Sequence, residues 1–168
     1  VGVYTHLPDT HRVNLTKLIK KYQIGGMIYM RGYVDKQVQW NNQFQRLSKV
    51  PIMVAMDAEW GLSMCLKNLM KFPFQMTLGA IRDDSLVYQM GEQIAQQMKR
   101  IGVHINFAPV VDVNINRINP VIGYRSFSEN REKVARKGIA YMKGLQDNGI
   151  QANAKHFPGH GDTGTDSH

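Results

Sequence analysis

The sequence predicts an α/β fold whose strands are parallel, and three observations predict it. Short apolar segments alternate with amphipathic ones along the whole chain, and strict βα alternation implies parallel strands joined by right-handed crossovers. One segment, Ile52-Met53-Val54-Ala55-Met56, is apolar at every position, as expected of a parallel strand covered on both faces. The polar residues able to do chemistry cluster after the third, fourth and fifth strand segments, which would place them on one rim.

Each element has its local reason. Val1 to Thr5 reads as the end of a strand. Leu15, Leu18, Ile19 and Tyr22 recur at helical spacing behind Asn14, a good N-cap, and Gly25-Gly26 closes that helix. Met27 to Met30 reads as a short buried strand. Asp35 is placed to cap a second helix with the stripe Trp40, Phe44 and Leu47, and Pro51 ends the connection to the third strand. Asp57 stands at the carboxyl end of that strand. The stretch from Gly61 to about Thr77, with Pro73 in it, reads as irregular. Asp83 or Asp84 then opens a helix with Leu86, Met90, Ile94 and Met98 at four-residue steps, ended by Gly102. Val103 to Phe107 is the fourth strand. A loop carries Gly123-Tyr124-Arg125-Ser126-Phe127, and Ser128 or Asn130 opens the last helix, with Val134, Tyr141, Met142 and Leu145 on its inner side. Gly149 ends it, and Ile150 to Ala154 is a fifth strand that delivers Lys155 and His156.

Two architectures fit five such βα units: an open doubly wound sheet, or the first part of a TIM-like (β/α)8 barrel. No G-x-G-x-x-G follows the first strand, which counts against a dinucleotide fold. A barrel needs about 250 residues, so 168 residues would supply about five of its units and require the remainder.

Composition narrows the function. At 43% hydrophobic and 20% charged, the chain has the make-up of a folded domain. Its single Cys65 excludes an internal disulfide, and no apolar run approaches a membrane span. The net charge of +8 favours acidic partners, but the Lys and Arg scatter over helix faces in runs no longer than Lys20-Lys21, so nucleic acid is not expected. Attraction to an acidic glycan is the weaker alternative. No targeting segment is legible, which leaves the compartment unknown.

The chemistry concentrates in Lys155 to His168, a stretch with three His, two Asp, one Lys, three Gly and one Pro. Neither a helix nor a central strand holds that composition, so it is a loop. Asp166 and His168 are two apart. An Asp that accepts from one ring nitrogen fixes the tautomer of a His and raises its basicity, and the other nitrogen can then move a proton near neutral pH. The same residues with His156, His160 and Asp162 also suggest Zn²⁺ or Fe²⁺ ligands, although Pro158 and Gly159 prevent His156 and His160 from forming a helical pair. Lys155 and Asp57 each end a buried strand, where a charge must be paired or used. Arg125 offers a planar fork for oxygen-rich ligands. Trp60 is either core or a platform for a sugar ring. Asp112 and Asn114 read as loop-holding residues.

The run Lys155 to His168 reads K-H-F-P-G-H-G-D-T-x-x-D-S-H. It closely resembles the signature of glycoside hydrolase family 3, in the β-N-acetylglucosaminidase branch that acts on peptidoglycan fragments. The resemblance continues through Met56 to Gly61, Asn106 to Val113 and Asn119 to Phe127, in the family's order and over nearly the whole chain. It implies that residues 1–168 are the N-terminal portion of one catalytic barrel domain. The implied reaction is retaining hydrolysis of a terminal β-linked N-acetylglucosamine. His168 would be the general acid/base, held by Asp166. Asp57, Arg125, Lys155 and His156 would bind sugar hydroxyls, and His160 would shape the loop. The resemblance implies no metal or organic cofactor. It also implies a bacterial source, in cytoplasm or periplasm. A His acid/base repels an incoming anion less than a carboxylate would, so phosphate in place of water is a subsidiary expectation. The family commonly has Glu-Gly-Gly where this chain has Glu59-Trp60-Gly61, and its nucleophilic Asp lies downstream of the DSH motif. The 168 residues alone are therefore expected to be inactive and to expose strand edges. The rivals are a metal-dependent hydrolase using the His/Asp loop and a non-catalytic carbohydrate-binding domain.

Overall fold

The structure, a computed structural model, describes residues 1–166. Five parallel strands form one sheet in the order β1-β2-β3-β4-β5. They are β1 (Gly2–Tyr4), β2 (Gly26–Arg31), β3 (Met53–Met56), β4 (Ile105–Asn106) and β5 (Gln151–Ala152). The helices are α1 (Asp9–Tyr22), α2 (Val34–Leu47), α3 (Gln75–Ala80), α4 (Asp84–Arg100) and α5 (Arg131–Gln146). A doubly wound sheet reverses its strand order at a switch point. This one never does, so the wall is that of a partial (β/α)8 barrel.

The register puts Val3, Tyr29, Met56, Asn106 and Ala152 in one row across the five strands. Val3, Tyr29 and Met56 are fully buried and share a core with Leu15 and Ile19 of α1, Trp40 and Phe44 of α2, Ile94 and Met98 of α4, and Tyr141 and Leu145 of α5. Alternation along each strand therefore turns this row toward the helices. The buried amide of Asn106 pairs with both backbone groups of Ala58 (Ala58 N to Oδ1 3.0 Å, Nδ2 to Ala58 O 3.2 Å). The Tyr141 hydroxyl donates to Ala58 O at 3.0 Å. These bonds fix the chain leaving β3, where Asp57 stands.

Several boundaries differ from the sequence expectation. Helix α1 begins at Asp9, five residues before Asn14, because its first turn is polar: Asp9 pairs with Arg12 at 2.6 Å, a contact with no apolar signature. Asp35 lies in the first turn of α2 rather than at its cap, which is Tyr33, so it acts on the helix dipole instead. Met53 is 48% exposed, so β3 is not covered at its amino end. The stretch expected to be irregular contains a short 3-10 turn at Leu62–Met64 and helix α3. Both were too short to show a period. In α4 Leu86 is exposed while Val87, Met90, Ile94 and Met98 are buried, since a row of four-residue steps drifts about 40° per step on a 3.6-residue helix. The caps Asp83 and Asn130 stand as expected, accepting from Ser85 N at 2.9 Å and Lys133 N at 2.8 Å. Among the described residues no helix is long and apolar enough to cross a membrane.

Candidate active site

The carboxyl ends of β3, β4 and β5 and the loop before α5 enclose a cleft of about 710 Å³. Its polar lining includes Asp57, Arg125, Asn153, Lys155, His156 and Asp166. Met64, Phe107, Val121 and two aromatic rings, Trp60 and Tyr124, supply its apolar side.

Lys155 is the hub. Its ammonium lies 2.6 Å from Asp57 Oδ1 and 2.9 Å from Glu59 Oε1. Glu59 has no exposed side-chain surface, and Arg125 grips it with both prongs of the guanidinium, Nε to Oε2 at 3.0 Å and Nη2 to Oε1 at 2.8 Å. Burial pushes the Glu59 carboxyl up, but the Arg125 fork and the Lys155 charge outweigh it and hold the group below its ordinary value. Burial likewise opposes the charge on Arg125, and the bonded carboxylate more than restores it. The Arg125 fork, open by sequence reasoning, is thus engaged by a protein carboxylate, and its Nη1 donates to Val121 O at 3.3 Å. Gln75 of α3 holds the backbone of this loop, donating to Arg125 O at 2.7 Å and Val110 O at 2.8 Å.

A second carboxylate organises the loop after β5. Asp112 Oδ2 takes His156 Nδ1 at 2.6 Å and His156 N at 3.2 Å, and Oδ1 accepts from His160 N. A carboxylate accepts only, so His156 Nδ1 carries a hydrogen and the Nε2 edge of the ring is turned away from this bond. Asn119 extends the same scaffold by donating to His160 O at 2.7 Å. The aromatic side is also built. Trp60 meets Phe74 edge-on at 4.9 Å between centroids, and Phe74 meets Tyr124 at 4.4 Å.

The sequence-predicted residues Asp57, Arg125, Lys155, His156 and Asp166 thus line one cleft, and His160 belongs to the loop beside it. His168 lies outside the described residues. Sequence reasoning missed Glu59 as the buried partner of two cations. Its signal was its position two residues after Asp57 in a strand exit, where a carboxylate on a buried stretch needs a pair. Among the described residues no three His, Cys, Asp or Glu side chains converge as metal ligands would.

Residues 6–168 match the family model described as the glycosyl hydrolase family 3 N terminal domain. The chain belongs to glycosyl hydrolase family 3. Similar proteins include beta-hexosaminidase A of Pseudoalteromonas piscicida, 36% identical over 92% of this chain and 28% of that protein. The structure of a glycoside hydrolase family 3 β-N-acetylglucosaminidase from Paenibacillus sp. str. FPU-7 superposes with a TM-score of 0.86, at 36% identity, over 99% of this chain and 32% of that one. NagZ from Neisseria gonorrhoeae, solved with N-trifluoroacetyl-D-glucosamine, gives 0.84 at 28% identity over 99% and 51%. The chain spans between about a quarter and a half of the length of the curated relatives it matches.

Proposed function

We propose that the chain carries the sugar-binding wall and the acid/base loop of a retaining exo-β-N-acetylglucosaminidase acting on N-acetylglucosamine-containing glycans such as peptidoglycan fragments. The observation that carries this reading is the meeting of Asp166, from the loop motif, with Asp57, Arg125, Lys155 and His156 in one cleft. Carboxylate and imidazole groups accept from sugar hydroxyls, Lys155 donates to them, and the apolar side of the cleft suits the carbon face of a pyranose. The beta-hexosaminidase relatives support the substrate class.

In this reading His168 protonates the leaving oxygen, oriented by Asp166, and then takes the proton from the attacking water. The anomeric carbon is held meanwhile by a nucleophilic carboxylate about 5 Å from the acid. The family places that Asp further along the chain than His168. Asp57 is not its substitute, because the family match makes it a sugar-binding residue. The test is hydrolysis of a β-N-acetylglucosaminide by the full-length protein, with His168→Ala as control. Loss of roughly a hundredfold or more in kcat is expected on removing the acid/base. Activity within threefold of the parent would refute the assignment.

A further inference from the structure

None of the residues of helix α3 lines the sugar cleft, yet α3 holds the loop that carries Tyr124 and Arg125 into it. The hold is the buried amide of Gln75. Its nitrogen donates to Arg125 O at 2.7 Å and to Val110 O at 2.8 Å, and its oxygen accepts from Val110 N at 3.0 Å. Both carbonyls can only accept, so the nitrogen must face them and the orientation of the amide is fixed. One side chain thereby ties the exit of β4 to the loop before α5. The bonds are made in a buried place, where a polar group left without its partner is costly.

Two further contacts run the same way. Phe74, at the amino end of α3, packs its ring on Tyr124 at 4.4 Å and on Trp60 at 4.9 Å, and both of those rings stand on the cleft wall. Gly79 meets the loop backbone directly: a Cβ there would lie 1.8 Å from Phe127 O. The far end of α3 is fastened by Lys137 of α5, which is fully buried, donates to Ile81 O and pairs with Asp84 at 2.7 Å. A helix of six residues has little stability of its own. Here it is clamped at both ends and passes that rigidity to Arg125, which in turn grips the Glu59 that Lys155 shares with Asp57.

We infer that Gln75, assisted by Phe74, is a positioning residue for sugar binding, acting through Arg125 without touching the sugar. The inference rests on the glycosidase reading above and deepens it. The test is steady-state kinetics of the full-length protein on nitrophenyl N-acetyl-β-glucosaminide, with Gln75→Met and Phe74→Leu. Gln75→Met keeps the length of the side chain and removes all three hydrogen bonds. A displaced binding group weakens the hold on substrate, so KM should rise by about tenfold with kcat within about threefold of the parent. Phe74→Leu keeps the amide and loses only the ring contacts, and should raise KM by about threefold. Loss of folded protein has a different signature: it lowers the apparent kcat with the active fraction and leaves KM unchanged. Gly144→Ala, between α4 and α5, supplies that pattern as a control. If Gln75→Met does not fold, Phe74→Leu decides. KM within about twofold of the parent in the variants that fold, or a loss confined to kcat, would overturn the inference while leaving the glycosidase standing. A parent that does not hydrolyse the substrate would overturn both.

Discussion

Lys155 Nζ stands 2.6 Å from Asp57 Oδ1, joining the ends of two strands that lie 98 residues apart in the chain. With Glu59 and Arg125 the pair forms a chain of alternating charges, Asp57–Lys155–Glu59–Arg125, largely withdrawn from water. Two cations and two carboxylates leave the group neutral in sum. That is how two β-strand ends and a loop can carry four charges against an apolar core. Removing one member strands another.

Glu59 is the member with the least alternative. Glu59→Ala leaves Arg125, only 17% exposed, without its carboxylate, and leaves Lys155 with Asp57 alone. A buried pair broken on one side costs about 3 kcal/mol or more. Glu59→Gln keeps the shape and one acceptor and should cost about half as much. Urea midpoints for the two variants check the ranking, and an unstressed Glu59→Ala would show that the network is not a structural element.

The same carboxylate sets an acid limb. Its folded-state pKa lies below its ordinary value of 4.5. A carboxyl depressed on folding contributes stability that is fully present above its unfolded pKa and is lost as pH falls through the folded one. Stability should therefore fall below about pH 4.5, and Glu59→Gln should flatten that limb. Asp84, depressed by Lys137 and Arg136, contributes in the same direction, so the limb should flatten further in the double variant with Asp84→Asn. A parent and a Glu59→Gln variant with parallel pH profiles would remove Glu59 from the account.

Helices α4 and α5 cross at two glycines. A Cβ on Gly144 would lie 2.2 Å from Tyr88 O and 3.0 Å from Gly91 Cα. Helix propensity alone makes Gly→Ala favourable by about 1 kcal/mol. Overpacking of backbone against backbone opposes it, so Gly144→Ala should be destabilising by about 2 kcal/mol net. A shift of the urea midpoint to lower concentration at constant m identifies this; stabilisation would mean that the helices separate at no cost.

Cys65 should be inert. Burial, and then the Asp57 charge, push its thiol up to about 12. From an ordinary value of 9.0 this leaves roughly a thousandfold less thiolate near neutral pH. Alkylation by iodoacetamide at pH 8 should be slower than that of a free thiol by at least about that factor in the native protein and normal in urea. A native rate close to the denatured one would place the sulfur in a different environment.

The parts of this architecture that were legible in the sequence are those with a local signature. The βα alternation, the caps Asp83 and Asn130, and the position of Asp57 after an apolar run follow from periodicity and capping alone. The polar start of α1 and the six-residue α3 carry no periodic signal, and they were misread for that reason. Site pairings were less legible because they cross 44 to 98 residues of sequence, as between His156 and Asp112 or Lys155 and Asp57. Composition says that a buried Lys or Glu needs a partner; only the fold says which one. Lys137 makes the same point. It is a fully buried Lys in the inner face of α5, neutralised by Asp84 at 2.7 Å from a different helix.

Asp112 is expected to act as a positioning residue. Its two oxygens receive the His156 ring, the His156 amide and the His160 amide, and its own backbone carbonyl takes the Ser126 hydroxyl at 2.6 Å. Asp112→Ala leaves those three donors without their acceptor and frees the imidazole of His156 to rotate, while the strands beneath it keep their pairing. Misplacement of about 1 Å at a reacting centre costs on the order of a hundredfold, so kcat/KM of the full-length protein on a β-N-acetylglucosaminide should drop by tenfold to about a hundredfold. Asp112→Asn retains one acceptor oxygen but turns an amide toward the remaining donors, and should recover only part of the loss. A purely structural role would move the unfolding midpoint and the activity together. A role in holding His156 predicts a larger loss in kcat/KM than the midpoint accounts for, with the Asn variant between Ala and parent. If Asp112→Ala folds and keeps kcat/KM within twofold, the loop after β5 is held by something other than this carboxylate.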